Sequence, residues 1–121
     1  MAGITFTPDM YKCAVNYVGV TDLELLWETM PPQWEIFEEQ QKVDIGDPEK
    51  DKELLKARSP LNFVDRIKTP LYIVHGVRDW RVDIEHARKL RRELEKVGKK
   101  EGEDYYWMVK ADEGHGFVGE A

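Results

Sequence analysis

Two short stretches of this 121-residue chain carry residue types that do proton chemistry. The first runs His75-Gly76-Val77-Arg78-Asp79-Trp80-Arg81-Val82, and the second Asp112-Glu113-Gly114-His115-Gly116-Phe117. Asp79 and His115 are the pair of interest. A carboxylate facing one ring nitrogen of an imidazole fixes its tautomer and stabilises the imidazolium, which leaves the other nitrogen to act as a base. Glycines on both sides of His115 let the backbone turn tightly and present the ring. The plainer readings are a helix-capping Asp and a loop His.

Such a pair needs elements that bring it together. Leu71 to His75 is a nearly continuous apolar run, as expected of a parallel strand buried on both faces. Tyr105 to Lys110 reads as the next strand, and the two candidate loops follow these two strands. Between them Ile84, Ala87, Leu90, Leu94 and Val97 form an apolar stripe at helical spacing, with Asp83 as N-cap and Gly98 as stop. Residues 71–110 therefore read strand–loop–helix–strand, a crossover that makes the strands parallel. Both loops then leave the carboxyl ends of their strands, where open parallel sheets place their sites. Strands about 4.8 Å apart put a carboxylate and an imidazole within reach of each other.

A third strand is expected at Lys12 to Val18. Between Thr21 and Arg58 the chain reads as helical and irregular. Expected helices are Asp22 to Met30, ended by Pro31-Pro32; Trp34 to Gln41; and Pro48 to Ala57, opened by Asp47. This excursion, about residues 20–58, reads as an insert above the sheet rather than a separate domain. The fold class is α/β, with about three parallel strands, flanking helices and this helical insert.

Composition narrows the function. A net charge of −6 argues against a nucleic-acid surface. No apolar run is long enough for a membrane span, and the first residues lack a signal peptide's basic and apolar regions. One cysteine, Cys13, excludes an internal disulfide and is expected as a buried strand residue. A reducing cytoplasm is the default setting. Three scattered histidines give no metal-ligand spacing, so no metal or cofactor is expected. His75 is expected to be structural, and His86 a solvated residue on the polar side of its helix. Trp80, Arg81 and Asp83 are expected to pack and cap around the acid loop. Charged residues make up 35%, with two asparagines and three glutamines, a bias resembling that of thermophiles.

Taken together, several motifs resemble the end of the α/β-hydrolase domain of prolyl-oligopeptidase-type serine peptidases, including acylaminoacyl and dipeptidyl peptidases. They are F-T-P-D-M-Y-K-C-A-V from Phe6, S-P-L-N-F-V at 59–64, K-T-P-L-Y-I-V-H-G-V-R-D-W-R-V at 68–82 and D-E-G-H-G-F at 112–117. The resemblance covers nearly the whole chain. It implies that Asp79 is the triad acid and His115 the base, acting on a peptide or acyl-peptide substrate in the intact enzyme.

Chain order in that fold is nucleophile, acid, base, so a G-x-S-x-G elbow should precede Asp79. None occurs. The only serine, Ser59, is followed by proline and lacks flanking glycines, and Cys13 opens an apolar strand. The resemblance places the elbow just before Ala2-Gly3-Ile4-Thr5-Phe6. The expectation is a single C-terminal part of a catalytic domain, residues 1–121, without nucleophile or oxyanion hole and inactive alone. The alternatives are a non-catalytic binding or assembly module, and one half of a split hydrolase whose serine another chain supplies. The strand at 12–18 would lack its inner neighbour, leaving an open apolar edge and an uncovered sheet face, so self-association through that edge is also expected.

Overall fold

The computed structural model describes residues 1–118. Its elements are helix α1 (Ala2–Phe6), strand β1 (Ala14–Tyr17), helix α2 (Leu23–Glu28), a 3₁₀ segment (Pro32–Phe37), helices α3 (Glu38–Asp44) and α4 (Lys52–Arg58), a second 3₁₀ segment (Pro60–Arg66), strand β2 (Leu71–Gly76), helix α5 (Glu85–Lys96) and strand β3 (Tyr105–Lys110). The three strands form one sheet in the order β1-β2-β3, and both pairings are parallel. Leu71 stands opposite Ala14 on one side and Tyr105 on the other.

One face of the sheet holds the core. Leu71 and Ile73 of β2 and Tyr105 of β3 meet Ala87, Leu90 and Leu94 of α5, with Ile4 of α1 and Leu61, Val64 and Ile67 closing the cluster. The α5 stripe is legible because spacings of three and four residues keep one face of a helix inward. Asp83 is not the N-cap: Ile84 holds that position without a side-chain cap, and Asp83 Oδ1 accepts the Glu85 N–H at 2.8 Å from one residue further back. Gly98, at φ +85°, closes the helix: its N–H bonds to Glu95 O and that of Lys99 to Leu94 O.

The opposite face is open. Side chains alternate along a strand, so Val15 and Tyr17 share a face with Tyr72, Tyr106 and Met108. Val15 is 66% exposed and Tyr17 46%. Tyr72 and Tyr106 pack edge to face at 6.2 Å. Parallel sheets normally have both faces covered.

Several expectations shift. Strand β1 starts at Ala14, so Cys13 lies just outside it and is exposed rather than buried. The helix expected at Trp34 to Gln41 is split: Pro31-Pro32 starts a 3₁₀ turn and the α-helix begins only at Glu38. Asp47 caps a turn instead of a helix, accepting from Glu49 and Lys50 N–H, and α4 begins at Lys52. His86 is fully buried, not solvated. It lies four residues before Leu90 and eight before Leu94, on the inward stripe of α5. Among the described residues no helix is long and apolar enough to cross a membrane.

Candidate active site

The loops after β2 and β3 are sewn to each other at the carboxyl edge of the sheet. Val77 N–H donates to Lys110 O at 2.9 Å, and Arg78 N–H donates to Glu113 O at 3.0 Å. Gly76 makes this approach possible: a Cβ there would overlap the carbonyl oxygens of Glu113 and Gly114. The glycine ending β2 therefore sets how closely the two loops meet.

Asp79 is held from two sides. Its Oδ1 accepts the N–H groups of Arg81 and Val82, both at 2.9 Å, the geometry of an Asp that caps its own turn. Its Oδ2 lies 2.8 Å from Nδ1 of His115. The Asp79 side chain is fully buried, while that of His115 is 29% exposed. The structure thus brings the two residues singled out from the sequence into one charge-assisted hydrogen bond. A carboxylate only accepts, so His115 Nδ1 carries the proton and the neutral ring presents Nε2 as an acceptor. That nitrogen makes no hydrogen bond among the described residues. The arrangement is that of an oriented imidazole base.

The His115 loop is anchored from the first strand as well. Tyr17 Oη accepts the Phe117 N–H at 2.7 Å, and the two rings meet edge on at 5.4 Å. Gly116 sits at φ +88°, where a Cβ would strain the backbone. Glu113 is buried and its Oε2 accepts the Val118 N–H at 3.0 Å. Sequence reading missed Tyr17 and Glu113. Tyr17 shared its alternation with Val15, which pointed only to a sheet face.

The profile of the prolyl oligopeptidase family matches residues 1–121. The chain belongs to the prolyl oligopeptidase family. It is 38% identical over 120 residues to dipeptidyl aminopeptidase BIII of Pseudoxanthomonas mexicana, covering 98% of this chain and 17% of that protein. It is 33% identical to dipeptidyl peptidase family member 6 of Caenorhabditis elegans, covering 96% of this chain and 16% of that one. Among solved structures it resembles acylaminoacyl peptidase of Pyrococcus horikoshii, with a TM-score of 0.77 at 21% identity over 93% of this chain and 17% of the other. It also resembles the puromycin-hydrolyzing peptidase of Mycobacterium tuberculosis, with a TM-score of 0.76 at 24% identity over 90% of this chain and 16% of the other. The three parallel strands are part of an α/β-hydrolase fold. The chain spans about a sixth of the length of these prolyl oligopeptidase relatives.

Other candidate residues have structural places. The Ser59 hydroxyl is buried, donates to Leu55 O at 2.7 Å and accepts the Leu23 N–H at 2.8 Å, so it ties α4 to α2. The Arg81 guanidinium lies over the Trp80 ring at 4.9 Å. His75 lies fully buried at the end of β2, with Nε2 2.8 Å from Val82 O. Burial pushes His86 down from 6.5 to about 4. Sequence gave no signal for a cavity of about 250 Å³ between α2, the first 3₁₀ segment and α3, lined by Trp27, Met30, Pro31, Glu35, Glu38 and Gln41. Trp27 Nε1 and Gln41 Oε1 are buried there without partners.

Proposed function

We propose that Asp79 and His115 are the acid and base of a serine-hydrolase triad that cleaves peptide or acyl-peptide bonds in the intact protein. The observation that carries this reading is the 2.8 Å contact between Asp79 Oδ2 and His115 Nδ1, with the other carboxylate oxygen held by two backbone N–H groups. In this role His115 Nε2 takes the proton of the attacking hydroxyl and returns it to the leaving amine, while Asp79 stabilises the imidazolium between the two steps. The nucleophile and oxyanion hole come from polypeptide outside these 121 residues. The sequence holds no G-x-S-x-G, and the hydroxyl of Ser59 is committed to the fold.

The 121 residues alone are then inactive. An unassisted acid–base pair contributes about 10²–10⁴-fold, against about 10⁶-fold or more for a complete enzyme. A fluorophosphonate probe tests this. No covalent labelling of the 121 residues is expected. Labelling is expected of a longer polypeptide that adds the upstream elbow, and its loss is expected in the Asp79→Asn and His115→Gln forms. Robust labelling of the 121 residues alone would overturn the reading.

The open sheet face supports a second part of the proposal. Val15 and Tyr17 project from an edge strand, and such edges pair with other chains. In isolation the 121 residues self-associate through β1. A monodisperse monomer in sizing chromatography at micromolar concentration would contradict it.

A further inference from the structure

His115 is tied to Asp79 by one hydrogen bond, so the orientation of its ring otherwise depends on the backbone of its loop. That loop is short and hinged at both ends. Gly114 and Gly116 face each other as an isolated antiparallel bridge, which leaves His115 at the tip. Gly116 sits at φ +88°, and glycine rotates away from such a conformation at little cost. The arm before His115 is fixed to the loop after β2, where the Arg78 N–H donates to Glu113 O at 3.0 Å. The arm after it is fixed to β1. The Phe117 N–H donates to Tyr17 Oη at 2.7 Å and to no other acceptor among the described residues. This second tie has a long reach. Strands β1 and β3 are not neighbours, because β2 lies between them, so they run about 10 Å apart. The chain leaving β3 crosses the end of β2 before it meets β1. Phe117 is gripped at that crossing, with its ring edge on Tyr17 at 5.4 Å and Lys110 Nζ 5.4 Å from its centroid.

We propose that Tyr17 is a positioning residue for the base: by holding the Phe117 N–H, its hydroxyl oxygen stops rotation at Gly116 and keeps His115 Nδ1–H on Asp79 Oδ2. Tyr17 acts through the backbone of Gly116 and Phe117 and not on a substrate. Its phenol oxygen lies close enough to the hinge that a Cβ on Gly116 would stand 3.9 Å from it. The ring contact alone cannot do this work, because an edge-on aromatic pair tolerates sliding and tilting that a 2.7 Å hydrogen bond does not. The bond is also solvent-exposed. Water replaces the phenol oxygen when it is removed, so the fold loses little while the loop loses its fixed point. The inference rests on Asp79 and His115 being the acid and base, whereas the tie between Tyr17 and Phe117 does not.

Hydrogen exchange of the ¹⁵N-labelled chain, read at the Phe117 amide and at His115 Nδ1–H, tests the role. Tyr17→Phe keeps the ring and its apolar contact and removes only the acceptor. It is expected to leave the urea midpoint close to that of the wild type, while both hydrogens exchange about tenfold faster through local opening. Tyr72→Phe removes a hydroxyl from the same sheet face and is expected to change neither. In the wild type the two hydrogens are expected to share one opening, with protection that agrees within about threefold. A Phe117 amide that Tyr17→Phe leaves unchanged would overturn the tie. A His115 Nδ1–H signal that is present but indifferent to Tyr17→Phe would overturn the positioning role alone. A wild type without any His115 Nδ1–H signal would overturn the dyad reading, and the positioning role with it. If the Phe form does not fold, the wild-type comparison decides: shared protection upholds the role, and protection that differs about a hundredfold overturns it.

Discussion

The carboxyl edge of β2 and β3 and the helical excursion before β2 are built on opposite terms. At the edge nearly every polar group around Asp79 is spoken for: both carboxylate oxygens, the backbone of Val77 and Arg78, and the backbone N–H of Phe117. In the excursion, the first 3₁₀ segment and α3 present Ile36, Phe37 and Val43 to solvent, with Ile36 82% and Val43 78% exposed. Hydrogen bonds between distant segments, Val77 to Lys110, Arg78 to Glu113 and Phe117 to Tyr17, hold the first region together. The second carries apolar side chains that nothing among the described residues covers.

That contrast predicts a gradient of mutational effects. The largest belongs to Gly76→Val. A branched side chain in the space of the Glu113 and Gly114 carbonyls is expected to cost about 3 kcal/mol by overpacking and to erase the His115–Asp79 contact. Urea denaturation and the His115 Nδ1–H resonance read both. A fully folded variant with that resonance intact would break the picture of the edge as a fitted joint.

An effect of similar size is expected from pH. His86 titrates near 4 in the folded protein against 6.5 as the ordinary value. Between those values the unfolded chain binds the extra proton, so stability rises with pH there. Lowering the pH from 7 toward 4 should therefore weaken the fold progressively, by about 3 kcal/mol in all, and the loss attributable to His86 should level off below 4. In His86→Gln this part of the slope should vanish. An unchanged slope in that variant would remove His86 from the account.

Leu55 of α4 is fully buried inside the excursion, where α4 packs on α2. Leu55→Ala is expected to cost about 2–3 kcal/mol, within the range for buried leucines. The smallest effects belong to Ile36→Ser and Val43→Ser, each within about 0.5 kcal/mol in thermal melts of the 121 residues. A loss of 2 kcal/mol or more at either, on the order of a buried-core cost, would show that the excursion packs where it reads as open.

The same contrast explains what could be read from the sequence. Asp79 and His115 were legible because their loops follow apolar strands and carry glycines at the turns. Helix α5 was legible from its stripe. His86 was misread because its polarity outweighed its spacing, although 86, 90 and 94 fall on one face. The burial of a histidine depends on a partner such as Thr21, 65 residues away, which no local pattern announces. The excursion was the least legible part: Pro31-Pro32 marked a break correctly but not that a 3₁₀ turn would follow it. Tyr17 escaped because its tie to Phe117 spans 100 residues.

The central claim is that these residues assemble the acid and the base of a hydrolytic site. The most direct test is ¹⁵N-histidine NMR of the chain and of its Asp79→Asn form. The account predicts a low-field His115 Nδ1–H resonance, slow to exchange, that is lost in Asp79→Asn while the rest of the spectrum is kept. A His115 that carries its hydrogen on Nε2, or whose signal is indifferent to Asp79→Asn, would contradict it.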